Sequence, residues 1–190
     1  MNTSPPVWLL DIDGVINAIS KKPDRSVWPA HQWITGTANA DGTDWPILAA
    51  QSVIDFIRDV HETGRAEVRW HTTWQHDAHN LAKLLDLPEF PVQDCPEFGE
   101  RRQGLAGAAW TPTRAGWWKL PAAERVVGEE GRALVWTDDD ANTGLRDAGG
   151  PEALARFAPT LVVCPREHLG LTPKHLRAID EFLTECENGR

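Results

Sequence analysis

Val7-Trp8-Leu9-Leu10 is an uninterrupted apolar run that ends abruptly on Asp11, Ile12, Asp13 and Gly14. Such a run reads as a short buried strand. Period-two alternation puts Asp11 and Asp13 on one side where the strand gives way to a loop, and Gly14 supplies a turn that a side chain would resist. By itself the segment also suits an ordinary strand end closed by an Asp-Gly turn. Its interest lies in where it falls, because open α/β sheets bind ligands at the carboxyl ends of their strands.

The pattern recurs twice. Gly64 to Trp74 reads Gly-Arg-Ala-Glu-Val-Arg-Trp-His-Thr-Thr-Trp, a glycine that closes a helix, a β-rich run, then two hydroxyls. Ala133 to Asp140 reads Ala-Leu-Val-Trp-Thr-Asp-Asp-Asp, again an apolar strand with a polar end. Between them, Trp117-Trp118-Lys119-Leu120-Pro121 places a lysine at the head of a helix. Acid, hydroxyl, lysine and acid, in that order, suit phosphoryl transfer. A phosphate ester is anionic and repels nucleophiles, so its charge must be cancelled before attack. Carboxylates gathered from separate strands repel one another as well, and Mg²⁺ answers both needs with its preference for oxygen ligands.

These four segments resemble, in type and order, the motifs of the haloacid dehalogenase-like phosphohydrolases. Leu-Asp-Ile-Asp-Gly-Val-Ile-Asn, Trp-His-Thr-Thr-Trp, Trp-Trp-Lys-Leu-Pro and Trp-Thr-Asp-Asp-Asp are closer still to the haloacid dehalogenase-like domain of the Swiss Army Knife RNA repair proteins. The resemblance runs from about Val7 to Cys186. It implies that Asp11 is a nucleophile forming an aspartyl-phosphate, and that Asp13 protonates the leaving oxygen and later deprotonates water. It implies a Mg²⁺ site built from Asp11, the Asp13 backbone carbonyl, Asp138 and Asp139, the last either through water or by orienting Asp138. Thr72 would bind a phosphoryl oxygen with help from the Thr73 amide, although one residue of register would exchange the two. Lys119 would neutralise charge on the nucleophile and the transferred group. Gly14, Asn17 and Trp74 complete the expected substrate-binding set, Trp74 as a wall of the pocket. Asp140 is expected to face solvent or to cap the next turn.

Strands alternating with helices imply a Rossmann-like, doubly wound parallel sheet with helices on both faces. The 190 residues suit a single domain. An insert at about 18–46 reads as a hairpin or flap, and a Pro- and Gly-rich loop spans about 88–116. Neither is long enough for a full cap domain, so an open site and a large substrate are expected. Helices are expected at Pro46–His61, Asp77–Leu85, from Pro121, and at Pro151–Phe157. The last helix, capped by Thr172-Pro173, would run through Glu185. Strands are expected at Glu67–His71, Ala133–Thr137 and Thr160–Cys164.

The net charge of −9 excludes bulk attraction to nucleic acid. Local contact would need Lys21, Lys22 and Arg25, or Arg101 and Arg102, which equally suit solvated loops. The chain has ten tryptophans and no tyrosine. Trp8, Trp70 and Trp136 fit the core. Trp28, Trp33, Trp45, Trp110, Trp117 and Trp118 lie in loops or at element ends, suited to packing or to stacking on bases. His71, His76 and His79 are spaced irregularly, as ordinary polar residues rather than zinc ligands. Cys95, Cys164 and Cys186 lack a metal pattern and fit free thiols in a reducing compartment. With no leader and no membrane-length apolar run, the chain reads as soluble and cytoplasmic. The expected function is a Mg²⁺-dependent phosphatase acting on a phosphorylated substrate, with polynucleotide ends first in line. A nucleotide or sugar-phosphate phosphatase would use the same residues. A phosphoacceptor receiver would place its acidic pair first, the reverse of the order here, and a silent binding module would not need all four motifs.

Overall fold

A computed structural model describes residues 4–93 and 118–189. Arg101, Arg102, Trp110, Trp117, Cys95 and most of the 88–116 loop lie outside these residues. Four short strands, β1 (Val7–Leu10), β4 (Glu67–Trp70), β5 (Leu134–Thr137) and β6 (Thr160–Val163), form a parallel sheet in the order β4-β1-β5-β6. Val92 adds a parallel bridge to Trp70 on the outer edge of β4. A second, antiparallel sheet is the hairpin β2 (Trp33–Ala40) and β3 (Thr43–Ala50), inserted between β1 and the first helix.

Strand parity divides the core in two. Trp8, Leu10, Val68, Trp70 and Val135 face α1 (Gln51–Glu62), α2 (Ala78–Leu85) and α6 (Pro173–Asn188) through Ile54, Leu81 and Ile179. Val7, Leu9, Leu134 and Trp136 face α3 (Lys119–Gly128), α4 (Ala141–Leu145) and α5 (Pro151–Ala155) through Val126, Leu145 and Leu154. Helices thus cover both faces; β1 is apolar and buried at all four positions, as two-sided burial requires, whereas Glu67 and Arg69 of β4 and Thr160 of β6 are only partly buried. The architecture is α/β and compatible with a Rossmann-like fold. The chain leaves β1 for β4 on one side and returns for β5 on the other, so the strand order reverses at the β1/β5 boundary. That boundary is where open α/β sheets hold ligands.

Two boundaries differ from the sequence reading. The first helix begins at Gln51, not Pro46, because Pro46 pairs with Thr37 in the hairpin and carries Ile47 and Leu48 with it. A two-stranded ribbon tolerates the missing N–H of Pro46, and the strand runs straight into the helix. α3 starts at Lys119, two residues before Pro121, which occupies its first turn. The tips of the other elements shift by up to three residues: α5 stops at Ala155, β6 at Val163, and α6 continues to Asn188.

The tryptophans mostly pack. Trp8, Trp70, Trp136, Trp28 and Trp118 are buried, and Trp28 donates its indole N–H to the Leu171 carbonyl at 3.0 Å. Burial removes Trp28 and Trp118 from the set available for base stacking, whereas Trp45 on the hairpin is 50% exposed. Within the described residues no helix is long and apolar enough to cross a membrane.

Candidate active site

The sheet register delivers the acidic residues together. Leu10 is level with both Trp70 and Thr137. The Asp11 N–H then donates to the Thr137 carbonyl at 3.1 Å, and the His71 N–H to the Leu10 carbonyl at 2.9 Å. The Asp138 N–H donates to the Val163 carbonyl at 3.1 Å. Asp11 and Asp138 therefore stand side by side at the switch point, one residue past their strands, with the parity of Leu9 and Trp136 that points toward α3.

Lys119 opens α3 on that same face. Its Nζ donates to Asp11 Oδ2 and to Asp138 Oδ2, each at 2.5 Å. The lysine side chain is 5% exposed and that of Asp138 is fully buried. The second oxygen of each carboxylate is held by a nearby backbone amide: Ile12 N–H donates to Asp11 Oδ1 at 2.8 Å and Asp140 N–H to Asp138 Oδ1 at 2.9 Å. Asp140 itself is exposed and heads α4, as its sequence position suggested.

Asp139 completes a trio. One carboxylate oxygen from each of Asp11, Asp138 and Asp139 can be chosen so that all lie within 4.8 Å of one another. Three carboxylates face one ammonium, and the electrostatics record the shortfall. Burial, opposed by Lys119 and reinforced by Asp11, pushes Asp138 up to about 8. Burial together with Asp11 and Asp140 pushes Asp139 up to about 7. Lys119 pays a desolvation penalty too, but the two carboxylates it touches outweigh this and raise it above its ordinary value. A buried, under-compensated set of hard oxygen donors fits a metal ion, and this cluster could bind one.

Gly14, expected at the substrate, makes room for this trio. Its φ is +72°, and a Cβ placed on it would fall on the Asp139 carboxylate. Asp13 is not in the trio. Its Oδ1 accepts from Asn17 Nδ2 at 2.9 Å and its Oδ2 from Trp74 Nε1 at 2.8 Å. Asn17 and Trp74, expected to bind substrate, are buried and spend these donors on Asp13.

Of the two threonines, Thr72 is fully buried, while Thr73 is exposed. Thr72 Oγ1 accepts the Trp74 N–H at 3.3 Å. His71, expected to be an ordinary polar residue, is fully buried. It is buried between the rings of Trp118 and Trp136, at centroid distances of 5.5 and 5.6 Å. Its ring nitrogens have no hydrogen-bond partner among the described residues. Burial, then Lys119 and Arg125, hold its pKa well below the ordinary value, so it is neutral. The parity of Arg69 and His71 was the available signal, since it aims both toward α3. His76 and His79 stand apart from His71, exposed on the surface, with the His79 ring against the His76 carbonyl. Among the described residues, Cys164 and Cys186 are not joined by a disulfide.

No protein-family model matches this sequence, and no curated protein matches it.

Proposed function

We propose that the chain is a Mg²⁺-dependent phosphomonoesterase of the haloacid dehalogenase-like kind. The observation that carries the reading is the Asp11–Lys119–Asp138 contact with Asp139 beside it, at the point where the strand order reverses. Asp11, Asp138 and Asp139 would hold the cation, which supplies positive charge to the phosphoryl oxygens and to the carboxylates themselves.

The protein's own groups divide the remaining work. Asp11, with one oxygen fixed by the Ile12 amide, attacks phosphorus as a nucleophile. Lys119 neutralises charge on Asp11 and on the transferred group. Asp13, two residues after the nucleophile, gives a proton to the leaving oxygen and takes one from the water that hydrolyses the aspartyl-phosphate. Thr72, buried beside the exposed Thr73, would donate to a phosphoryl oxygen.

Terminal phosphates of nucleic acid are the preferred substrate. Trp45 offers an exposed aromatic face on the hairpin, and exposed Lys21, Lys22 and Arg25 precede it in the chain. The test is phosphate release with Mg²⁺ from an aryl phosphate, mononucleotides, and RNA and DNA oligomers phosphorylated at either end. Asp11→Asn and an EDTA-treated sample run beside the wild type. Release that needs both Asp11 and the cation, greatest on oligomers, is expected. Greatest release on mononucleotides reassigns the substrate to small molecules, and none from any substrate moves the reading to a binding module.

A further inference from the structure

We propose that Trp74 and Asn17 are positioning residues for Asp13, and that turnover depends on them in proportion to how badly the leaving oxygen needs a proton. The inference rests on the phosphatase reading and extends it to residues that need not touch phosphate.

Asp13 lies in a tight turn rather than a strand. The N–H groups of Val15, Ile16 and Asn17 all converge on the Ile12 carbonyl, and the Gly14 N–H donates to the Asn17 carbonyl. Its one β-pairing is an isolated bridge to Asn17, and its carboxyl group takes its aim from the two donors that grip it. Trp74 and Asn17 are each 5% exposed. Neither donor can turn to water without opening the packing around it, and leaving either unpaired is costly.

Both donors are in turn fastened to the hairpin. Asn17 Oδ1 accepts the Leu48 N–H of β3 at 2.9 Å. Trp74 opens the short turn through Asp77, whose Oδ2 accepts the Asp41 N–H at the hairpin tip, also at 2.9 Å. The base of the hairpin and its tip thus hold the two groups that aim Asp13.

In the first step the bond from an Asp11 oxygen to phosphorus forms while the bond from phosphorus to the leaving oxygen breaks. That oxygen takes the proton of the Asp13 carboxyl. In the second step water bonds to phosphorus, the Asp11–phosphorus bond breaks, and the proton from water returns to Asp13. An alkoxide is a strong base and cannot leave without the proton, whereas 4-nitrophenolate can. A misaimed Asp13 therefore penalises alkyl phosphates and spares 4-nitrophenyl phosphate. The effect appears in kcat/KM, which reports events through the first step.

Trp74→Phe keeps an aromatic ring and removes the N–H; Asn17→Ser shortens the second donor. Each is compared with wild type and Asp13→Asn in the presence of Mg²⁺. For either variant, kcat/KM on an alkyl phosphate is expected to fall about 10- to 100-fold and on 4-nitrophenyl phosphate by less than about threefold. Equal losses on both substrates, or no loss on the alkyl phosphate, overturn the proposal. Wild type inert toward both sinks the phosphatase reading, and with it this one. A readout free of activity separates the two: the assigned indole N–H resonance of Trp74 should move in Asp13→Asn. A resonance that stays in place shows the grip on Asp13 to be wrong, even if the reaction is right and Trp74→Phe fails to fold.

Discussion

The Asp139 carboxylate occupies the space that a Cβ on Gly14 would fill, so the turn after the first strand and the acidic end of β5 interlock. Gly14→Ala faces two penalties: a left-handed backbone costs about 1–2 kcal/mol for a residue with a side chain, and the added methyl displaces Asp139. The expected outcome is a less stable protein whose affinity for Mg²⁺ falls more than its fold does. Calorimetric Mg²⁺ titration of the folded variant checks this; unchanged affinity would count against Asp139 as part of the cation site.

Lys119 compensates two buried carboxylates at once. Lys119→Met fills similar space and leaves Asp11 and Asp138 uncompensated. Breaking a buried pair by removing one partner costs about 3–5 kcal/mol. The loss should be largest at neutral pH without divalent cation and should shrink when Mg²⁺ is added, because both ions oppose the same negative charge. Thermal melts with and without Mg²⁺ decide the matter, and a loss indifferent to Mg²⁺ would separate the lysine from the cation site.

The raised carboxyls fix the sign of the pH dependence. Asp138 at about 8 and Asp139 at about 7 bind protons more tightly in the folded state than at their ordinary value of 3.8. Their contribution to stability is fully present below that ordinary value and is lost as pH rises through 7 and 8. A cation competes for the same oxygens, so metal binding releases those protons. The melting temperature without metal should therefore decline between about pH 5.5 and about pH 8.5, and the gain from Mg²⁺ should be greater at the upper value. Asp138→Asn should flatten both trends. A Mg²⁺ gain independent of pH would contradict the assignment.

The parts of the fold visible in the sequence were those set by local pattern. Val7–Leu10 and Leu134–Thr137 are apolar runs with carboxylates at their ends, and adjacent in-register strands bring such ends together. Lys119 was recognisable through its order among the motifs and its place at a helix start. The hairpin boundary was not, because Ile47 and Leu48 continue the apolar character of Val53 and Ile54, and only the pairing of Pro46 with Thr37 separates strand from helix. The grip of Trp74 on Asp13 was also hidden. It joins residues 61 positions apart through one indole N–H, and no periodicity announces such a contact.

The opposite end of the sheet supplies the control. Arg69 donates to Glu67 at 2.7 Å and to both oxygens of Glu130 at 2.7 and 2.9 Å, while Arg132 ties Glu67 to the Pro5 carbonyl. Glu67 and Arg132 lie at the amino ends of β4 and β5; Arg69 is level with Leu9, two residues before Asp11, and its guanidinium bonds back to Glu67. The Glu67 and Glu130 side chains are 39% and 31% exposed, so water can replace part of what Arg69 gives them. Arg69→Met should then cost about 1–2 kcal/mol. Hydrogen bonds from Arg69 lead the effects that lower both glutamate pKa values below the ordinary 4.5. That contribution is present above 4.5 and lost as pH falls through the depressed values, so wild type and variant should converge in acid. Phosphate release and Mg²⁺ affinity should be unchanged. Urea unfolding at neutral and acidic pH, beside the activity assay, tests both halves, and an activity loss at equal foldedness would show that the two ends of the sheet are coupled.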